Sequence, residues 1–270
     1  MPDRPGRISG IAMALRRVAT LFVVPLLAYA GLCVLMYARQ REMMYFPQHT
    51  RVDASQTDFE LRRNDVTLRG WVVNPGQAAA VIYFGGNAEA VDRMRAPLAG
   101  WLPDRSVYLL SYRGYGASEG APEEALLFAD ALALFDNVRA RHPSGTVSVI
   151  GRSLGTGVAS YVASQRPVHR LVLVAPFDSL AGVAQHHYPW LPVRLLIKDR
   201  YDSDRHLAGF ERPVLVIRAG RDRVVPPRST DALIAALPSP PTVLAVPDAG
   251  HDSVLVPAAP GQALAEFLTR

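Results

Sequence analysis

Cysteine is nearly absent from this 270-residue sequence: Cys33 stands alone. An intramolecular disulfide and a zinc site built from several cysteines are both excluded. Lysine is as scarce. Lys198 is the single one, so 28 of the 29 basic residues are arginines. They are scattered rather than gathered into a stripe. The formal net charge of +5 therefore lacks the clustered footprint of a nucleic-acid binder, and no nucleic-acid partner is expected. Internal repeats and low-complexity tracts are missing too. With 49% hydrophobic and 20% charged residues, the chain has the material for one large core plus an appendage.

Charge is missing altogether from residues 18–38, VATLFVVPLLAYAGLCVLMYA, a run of 21 residues against the roughly 20 that a helix needs to cross hydrocarbon. Pro25 and Gly31 interrupt it, as is common in membrane helices. Residues 1–45 are thus expected to form an N-terminal tail and a transmembrane helix. Arg4, Arg7, Arg16 and Arg17 precede the span, whereas Arg39, Arg41 and Arg51 follow it with Glu42 and Asp53. The positive-inside rule predicts a cytoplasmic N-terminus and an extracytoplasmic domain over 46–270. A cleaved signal peptide competes, because Ala28-Tyr29-Ala30 is an A-x-A triplet after a short apolar stretch. The apolar LCVLMYA beyond it argues for retention. Leu32, where a small residue is needed, argues against a lipid-modified Cys33.

Beyond the anchor, short β-branched runs alternate with helical patterns, and Gly, Pro and Asp stand at the joins, which implies an α/β fold with a mostly parallel central sheet flanked by helices. Strands are expected over 66–73, 80–84, 107–111, 147–150, 171–174, 214–218 and 242–246. Helices are expected over 88–99, 122–140, 154–165, 227–236 and 260–268. The 37 residues of 176–212 far exceed the two to six of a βα loop and predict a short cap insertion. Its His186, His187, Tyr188, Trp190, Leu191, Leu195 and Leu196 would either shape an apolar pocket or pack as a surface excursion.

Gly151-Arg152-Ser153-Leu154-Gly155 lies directly between a strand pattern and a helix pattern. In such a turn the serine is strained, the two glycines let strand and helix approach, and the helix N-terminus faces the charge that develops beside the hydroxyl. A serine nucleophile needs a base, and the base needs a carboxylate to hold its tautomer. Asp222 and His251 each follow a strand, 69 residues after Ser153 and 29 residues after Asp222. Asp178, Asp248 and Asp252 are rivals for the acid, the last two flanking the histidine too closely to orient it easily. Attack on a carbonyl also needs preset N–H donors for the oxyanion. Leu154 supplies one, and the loop Gly85-Gly86-Asn87 supplies the second through Asn87. That loop contains no Gly-x-Gly-x-x-Gly, so it is not a dinucleotide site. No metal or organic cofactor is implied.

These features together resemble the α/β-hydrolase superfamily. The segment from Tyr112 to Gly120, YRGYGASEG, the stretch Pro176-Phe177-Asp178-Ser179 and the MMYFPQ just past the anchor are most similar to its membrane-anchored, serine aminopeptidase-like branch, which includes acyl-protein thioesterases. The order Ser153, Asp222, His251 is the one the superfamily uses. The resemblance implies a serine hydrolase that forms an acyl-enzyme on Ser153, acting on a small-molecule or lipid-like acyl ester or thioester. A serine peptidase, or a non-catalytic membrane-tethered binding module of the same fold, are the alternatives. Two positions depart from the branch: Gly85 stands where it usually has His, and Ser111 where it tends to have Asp. Arg113 and Tyr115 are implied to be structural.

Overall fold

The apolar N-terminal stretch forms part of one long helix in the computed structural model, which describes residues 6–64 and 66–269. This helix, α1 (Gly6–Met44), accommodates Pro25 within its length. The window from Thr20 onward has a mean hydropathy of 2.2, and none of it is buried. Leu21, Phe22, Leu26 and Leu27 are all exposed. By length and composition α1 is suited to crossing a membrane, and a signal sequence has the same character. Of the arginines before the span, Arg4 lies outside the described residues, as do the side chains of Arg7, Arg16 and Arg17. The chain divides into two compact units, Met1–Gln40 and Arg41–Arg270.

The second unit is built on one sheet. Among the described residues it has eight strands: β1 (Phe59–Arg62), β2 (Thr67–Val73), β3 (Ala79–Phe84), β4 (Arg105–Leu110), β5 (Val147–Arg152), β6 (Leu171–Val174), β7 (Val214–Ala219) and β8 (Thr242–Val246). Their spatial order is β1-β2-β4-β3-β5-β6-β7-β8. The pairs from β4 to β8 are parallel, and β1 and β2 add an antiparallel edge. Every expected strand is present within two residues at either end. β1 was not expected, because four residues reading Phe-Glu-Leu-Arg carry two charges and only a short alternation.

Alternation along the strands sends side chains to two cores. Ala80, Ile82 and Phe84 of β3 join one cluster, together with Leu127, Leu134 and Phe135 of α3 (Glu124–Arg141) and Val158 and Val162 of α4 (Leu154–Gln165). Val81 and Tyr83 join the other, with Leu98 of α2 (Arg95–Trp101) and Leu264 and Phe267 of the last helix (Ala258–Thr269). Strands β3 to β7 are buried on both faces, which explains their continuous apolar runs. The helix expected over 88–99 starts later than predicted. Ala88 to Ala90 remain loop, a 3₁₀ turn covers Val91–Met94, and α2 follows with Pro97 tolerated in its first turn.

The 37-residue interval holds three short helices, Leu180–His187, Val193–Leu196 and Ser203–Leu207, here α5, α6 and α7. The loop after β4 is fixed by a buried ion pair. Arg113 donates from Nε to Asp130 Oδ2 at 2.6 Å and from Nη2 to Oδ1 at 3.0 Å, and Arg63 donates to Oδ1 at 3.0 Å. Removing one partner of such a pair is far costlier than the pair is stabilising. Asp130→Ala is therefore expected to lower the unfolding free energy by about 3 kcal/mol, read from urea unfolding. A loss near zero would show that this pair does not fix the loop.

Candidate active site

The turn between β5 and α4 is strained where it carries the serine. Ser153 has φ 50° and ψ −120°, a conformation that costs a non-glycine residue about 1–3 kcal/mol. Its surroundings over-determine it. Ser153 N–H donates to Val174 O on β6 at 2.9 Å, and its carbonyl accepts from Thr156 N–H at 2.8 Å and Thr156 Oγ1 at 2.6 Å. A Cβ on Gly151 would lie 2.4 Å from Gly155 O, and one on Gly155 would lie 2.1 Å from Phe84 O. Both positions need glycine because backbone meets backbone there.

Sheet topology brings the other residues to this turn. The chain steps from β3 outward to β4 and then back across to β5, so the loops after β3 and β5 emerge side by side at a topological switch point. Loops at the ends of β7 and β8 complete the rim, with Ala219 level with Val246. His251 Nε2 lies 2.8 Å from Ser153 Oγ, and its Nδ1 lies 2.8 Å from Asp222 Oδ2. Asp222 Oδ1 accepts the N–H groups of Val224 at 2.9 Å and Val225 at 2.8 Å. The Asp222 and His251 side chains are only 6% and 10% exposed.

The rivals for the acid are placed elsewhere. Asp178 accepts from Ser229 on α8 (Pro227–Ala236), Asp248 is an exposed partner of Arg221 at 2.6 Å, and Asp252 is almost fully exposed. Burial pushes the Asp222 carboxyl up, but the hydrogen bond and charge of His251 and the two amides outweigh it and hold it below the ordinary carboxylate value. A depressed folded value stabilises the fold above the unfolded pKa of about 4 and ceases to do so as pH falls through the folded one. The stability gap between wild type and Asp222→Asn is therefore expected to shrink as the pH of urea unfolding is lowered below about 4. A gap that stays constant down to pH 2 would contradict the depressed value.

The loop after β3 lies against the serine, since a Cβ on Gly86 would be 3.5 Å from Ser153 Cβ. Gly85 takes the place of the expected histidine, and other groups fix the loop. Gly86 N–H donates to Glu89 Oε2 at 2.7 Å, Glu89 Oε1 accepts from Tyr83 O–H at 2.6 Å, and Tyr112 O–H donates to Gly85 O at 2.9 Å. Arg152 Nη1 completes the network 3.2 Å from Glu89. Neither Glu89 nor Arg152 was singled out from the sequence. A carboxylate three residues after Gly86, with an arginine inside the Gly-x-Ser-x-Gly, was the available signal.

Asn87 and Ser153 border a cavity of about 250 Å³ whose walls also include Ala88, Ala90, Arg93, Met94 and His251. Among the described residues the lining of this cavity includes none of the cap side chains. Leu191 packs inward while Trp190 and Leu195 are exposed. The cap does brace the acid loop, since His187 Nε2 lies 2.8 Å from Val224 O. Among the described residues no cluster of three or more His, Cys, Asp or Glu side chains is arranged to hold a metal.

A family model described as the alpha/beta hydrolase fold matches residues 80–212. An uncharacterised protein of Mycobacterium tuberculosis is 38% identical over 257 residues, 89% of this chain and 91% of its own length. Human ABHD12B is 33% identical over 168 residues, 54% of this chain and 46% of that one. Among solved structures, an esterase of Pyrococcus furiosus is similar with a TM-score of 0.65 at 20% identity, over 84% of this chain and 95% of that one. Est1E of Butyrivibrio proteoclasticus, solved with ferulic acid, has a TM-score of 0.64 at 13% identity, over 79% of this chain and all of that one.

Proposed function

The chain belongs to the α/β-hydrolase superfamily, and on that premise we propose that it is a membrane-anchored serine hydrolase that cleaves carboxylic esters or thioesters. The observation that carries this is the continuous hydrogen-bonded chain from Ser153 Oγ through His251 to Asp222, each link 2.8 Å. Ser153 Oγ attacks the acyl carbon while His251 Nε2 takes its proton, and Asp222 holds the imidazole in the tautomer that can accept it. The N–H groups of Leu154 and Asn87 receive the oxyanion. Gly86 is not the second donor, because its N–H is already given to Glu89. His251 then returns the proton to the leaving oxygen or sulfur, and water releases the acyl group by the same steps in reverse.

Esters and thioesters are favoured over amides because their leaving groups demand less protonation. The cavity of about 250 Å³ is smaller than the roughly 300–1,000 Å³ of drug-sized sites, and Ala88, Ala90 and Met94 give it an apolar wall, which favours short acyl groups. The solved structures of similar fold include esterases, which is consistent with that chemistry.

A fluorophosphonate probe is expected to label the wild type and not Ser153→Ala, and hydrolysis of short p-nitrophenyl esters is expected to fall by up to about 10⁶-fold in that variant. Well-folded wild type that neither labels nor turns over would favour a binding module instead. For Asp222→Asn, which preserves shape but not the tautomer, a loss of about 10⁴-fold in kcat is expected.

Retention of α1 as a membrane span is part of the same proposal, supported by the exposure of its apolar side chains. The arginine bias before residue 18 supports a domain outside the cytoplasm. A phosphatase reporter fused after the final residue is expected to be active only if it has been exported, and signal from a cytoplasmic reporter at the same point would reverse the orientation.

A further inference from the structure

Asn87 is tied into a second network, distinct from that of Glu89. Its Nδ2 donates to Met44 O at 2.9 Å. Its carbonyl accepts Tyr115 O–H at 2.6 Å and Phe46 N–H at 3.3 Å, and that same N–H lies 3.1 Å from Tyr115 Oη. The carboxamide donor and the main-chain carbonyl of Asn87 are thus both occupied by the segment that leaves α1 and by the aromatic residue facing it. The segment is itself fixed. Tyr45 is buried and donates to Asp199 at 3.0 Å, with Tyr201 Oη 2.7 Å away. Arg41 binds Asp199 through Nε at 3.0 Å and Nη2 at 3.1 Å, and Glu123 through Nη1 at 2.7 Å.

Resting on the serine-hydrolase reading above, we propose that the juxtamembrane residues Met44-Tyr45-Phe46, with Tyr115, are a positioning element of the active site that holds the Asn87 N–H where the oxyanion forms. Oxyanion donors accelerate reaction only if they are aimed before charge develops. Gly85 and Gly86 contribute no side chains to hold their own loop. Glu89 restrains it at Gly86, one residue short of the donor, and the juxtamembrane segment restrains the donor residue itself. The Asn87 carboxamide is committed to Met44, so it supports the loop while the backbone N–H serves the substrate. Burial keeps the Tyr115 phenol protonated by pushing it above its ordinary value, so it remains a donor to Asn87 throughout the working pH range. The MMYFPQ stretch acquires a positioning role through this contact.

The test uses full-length protein in detergent micelles, with Asn87→Asp, which replaces the donor to Met44 by an acceptor, and Tyr115→Phe, which deletes a single oxygen. Expected in both is a fall in kcat for p-nitrophenyl butyrate of at least about tenfold, short of the 10²- to 10³-fold of a lost donor, with KM changed less than about twofold. Affinity for a trifluoromethyl ketone, whose adduct with Ser153 places an oxyanion in the same position, is expected to fall in parallel. In the double variant the losses are expected not to multiply, because both act through one loop. If Asn87→Asp fails to fold, Tyr115→Phe decides alone. The proposal is overturned if kcat and ketone affinity stay within about twofold of wild type, or if KM alone rises, while Ser153→Ala is inactive. If Ser153→Ala retains wild-type turnover, the serine-hydrolase reading falls and this inference with it.

Discussion

Everything at this site depends on a serine held at φ 50° where a parallel strand runs into a helix. That conformation is unfavourable in isolation, so the fold must contain enough fixed contacts to impose it. Three bring it about: the hydrogen bond from Ser153 N–H to β6, the paired bonds from Thr156 to the Ser153 carbonyl, and the close approach of α4 to both β5 and β3 at Gly151 and Gly155. The cost is spread over a core in which each fully buried branched side chain contributes roughly 1.5–3 kcal/mol. A turn this constrained cannot adjust to a misplaced partner. His251 and Asp222 must be delivered to it, and the parallel register of β7 and β8 does so by ending both loops on one rim.

This explains why some of the molecule was legible in the sequence and some was not. Strands buried on both faces advertise themselves as apolar runs, and the five of this kind, β3 to β7, are all present where expected. The Gly-x-Ser-x-Gly was legible because its glycines are demanded by backbone contact, and Asp222 and His251 because each follows a strand. β1 was hidden because an edge strand of four residues needs only two apolar side chains, Phe59 and Leu61. The late start of α2 was hidden for a different reason. Ala88 to Ala90 have helical composition, but the Gly86 N–H claims the Glu89 carboxylate, and that local side-chain-to-backbone bond competes with the helix. The cap composition suggested pocket walls as readily as surface, since apolar side chains in a long insertion do not reveal which way they face.

The arginine excess also resolves into local uses rather than a field. Arg113 and Arg63 share Asp130, Arg41 joins Asp199 to Glu123, and Arg166 pairs with Asp136 on α3. Arginine suits such positions because its planar fork can satisfy both oxygens of a carboxylate, as at Asp130 and Asp199, where lysine offers a single point charge.

One of these pairs answers a difficulty the site creates for itself. Glu89 restrains the loop after β3, yet under the proposed mechanism it brings a carboxylate beside a serine whose reaction would generate negative charge. Left alone, that carboxylate would oppose negative charge developing at Ser153, more strongly in a half-buried setting than in water. Arg152 stands on the other side of it, 3.2 Å away. Burial alone would push the Arg152 guanidinium down, but the charge and hydrogen bond of the Glu89 carboxylate beside it outweigh that, holding it above its ordinary value and therefore charged. Tyr83, with burial and the Glu89 charge pushing its own phenol well up, stays protonated and donates to the same carboxylate. Glu89 thus keeps its bond to Gly86 while its charge is offset by a cation from the residue immediately before Ser153. The arginine inside the Gly-x-Ser-x-Gly and the glutamate after the double glycine act as one device, the carboxylate holding the loop and the guanidinium offsetting its charge.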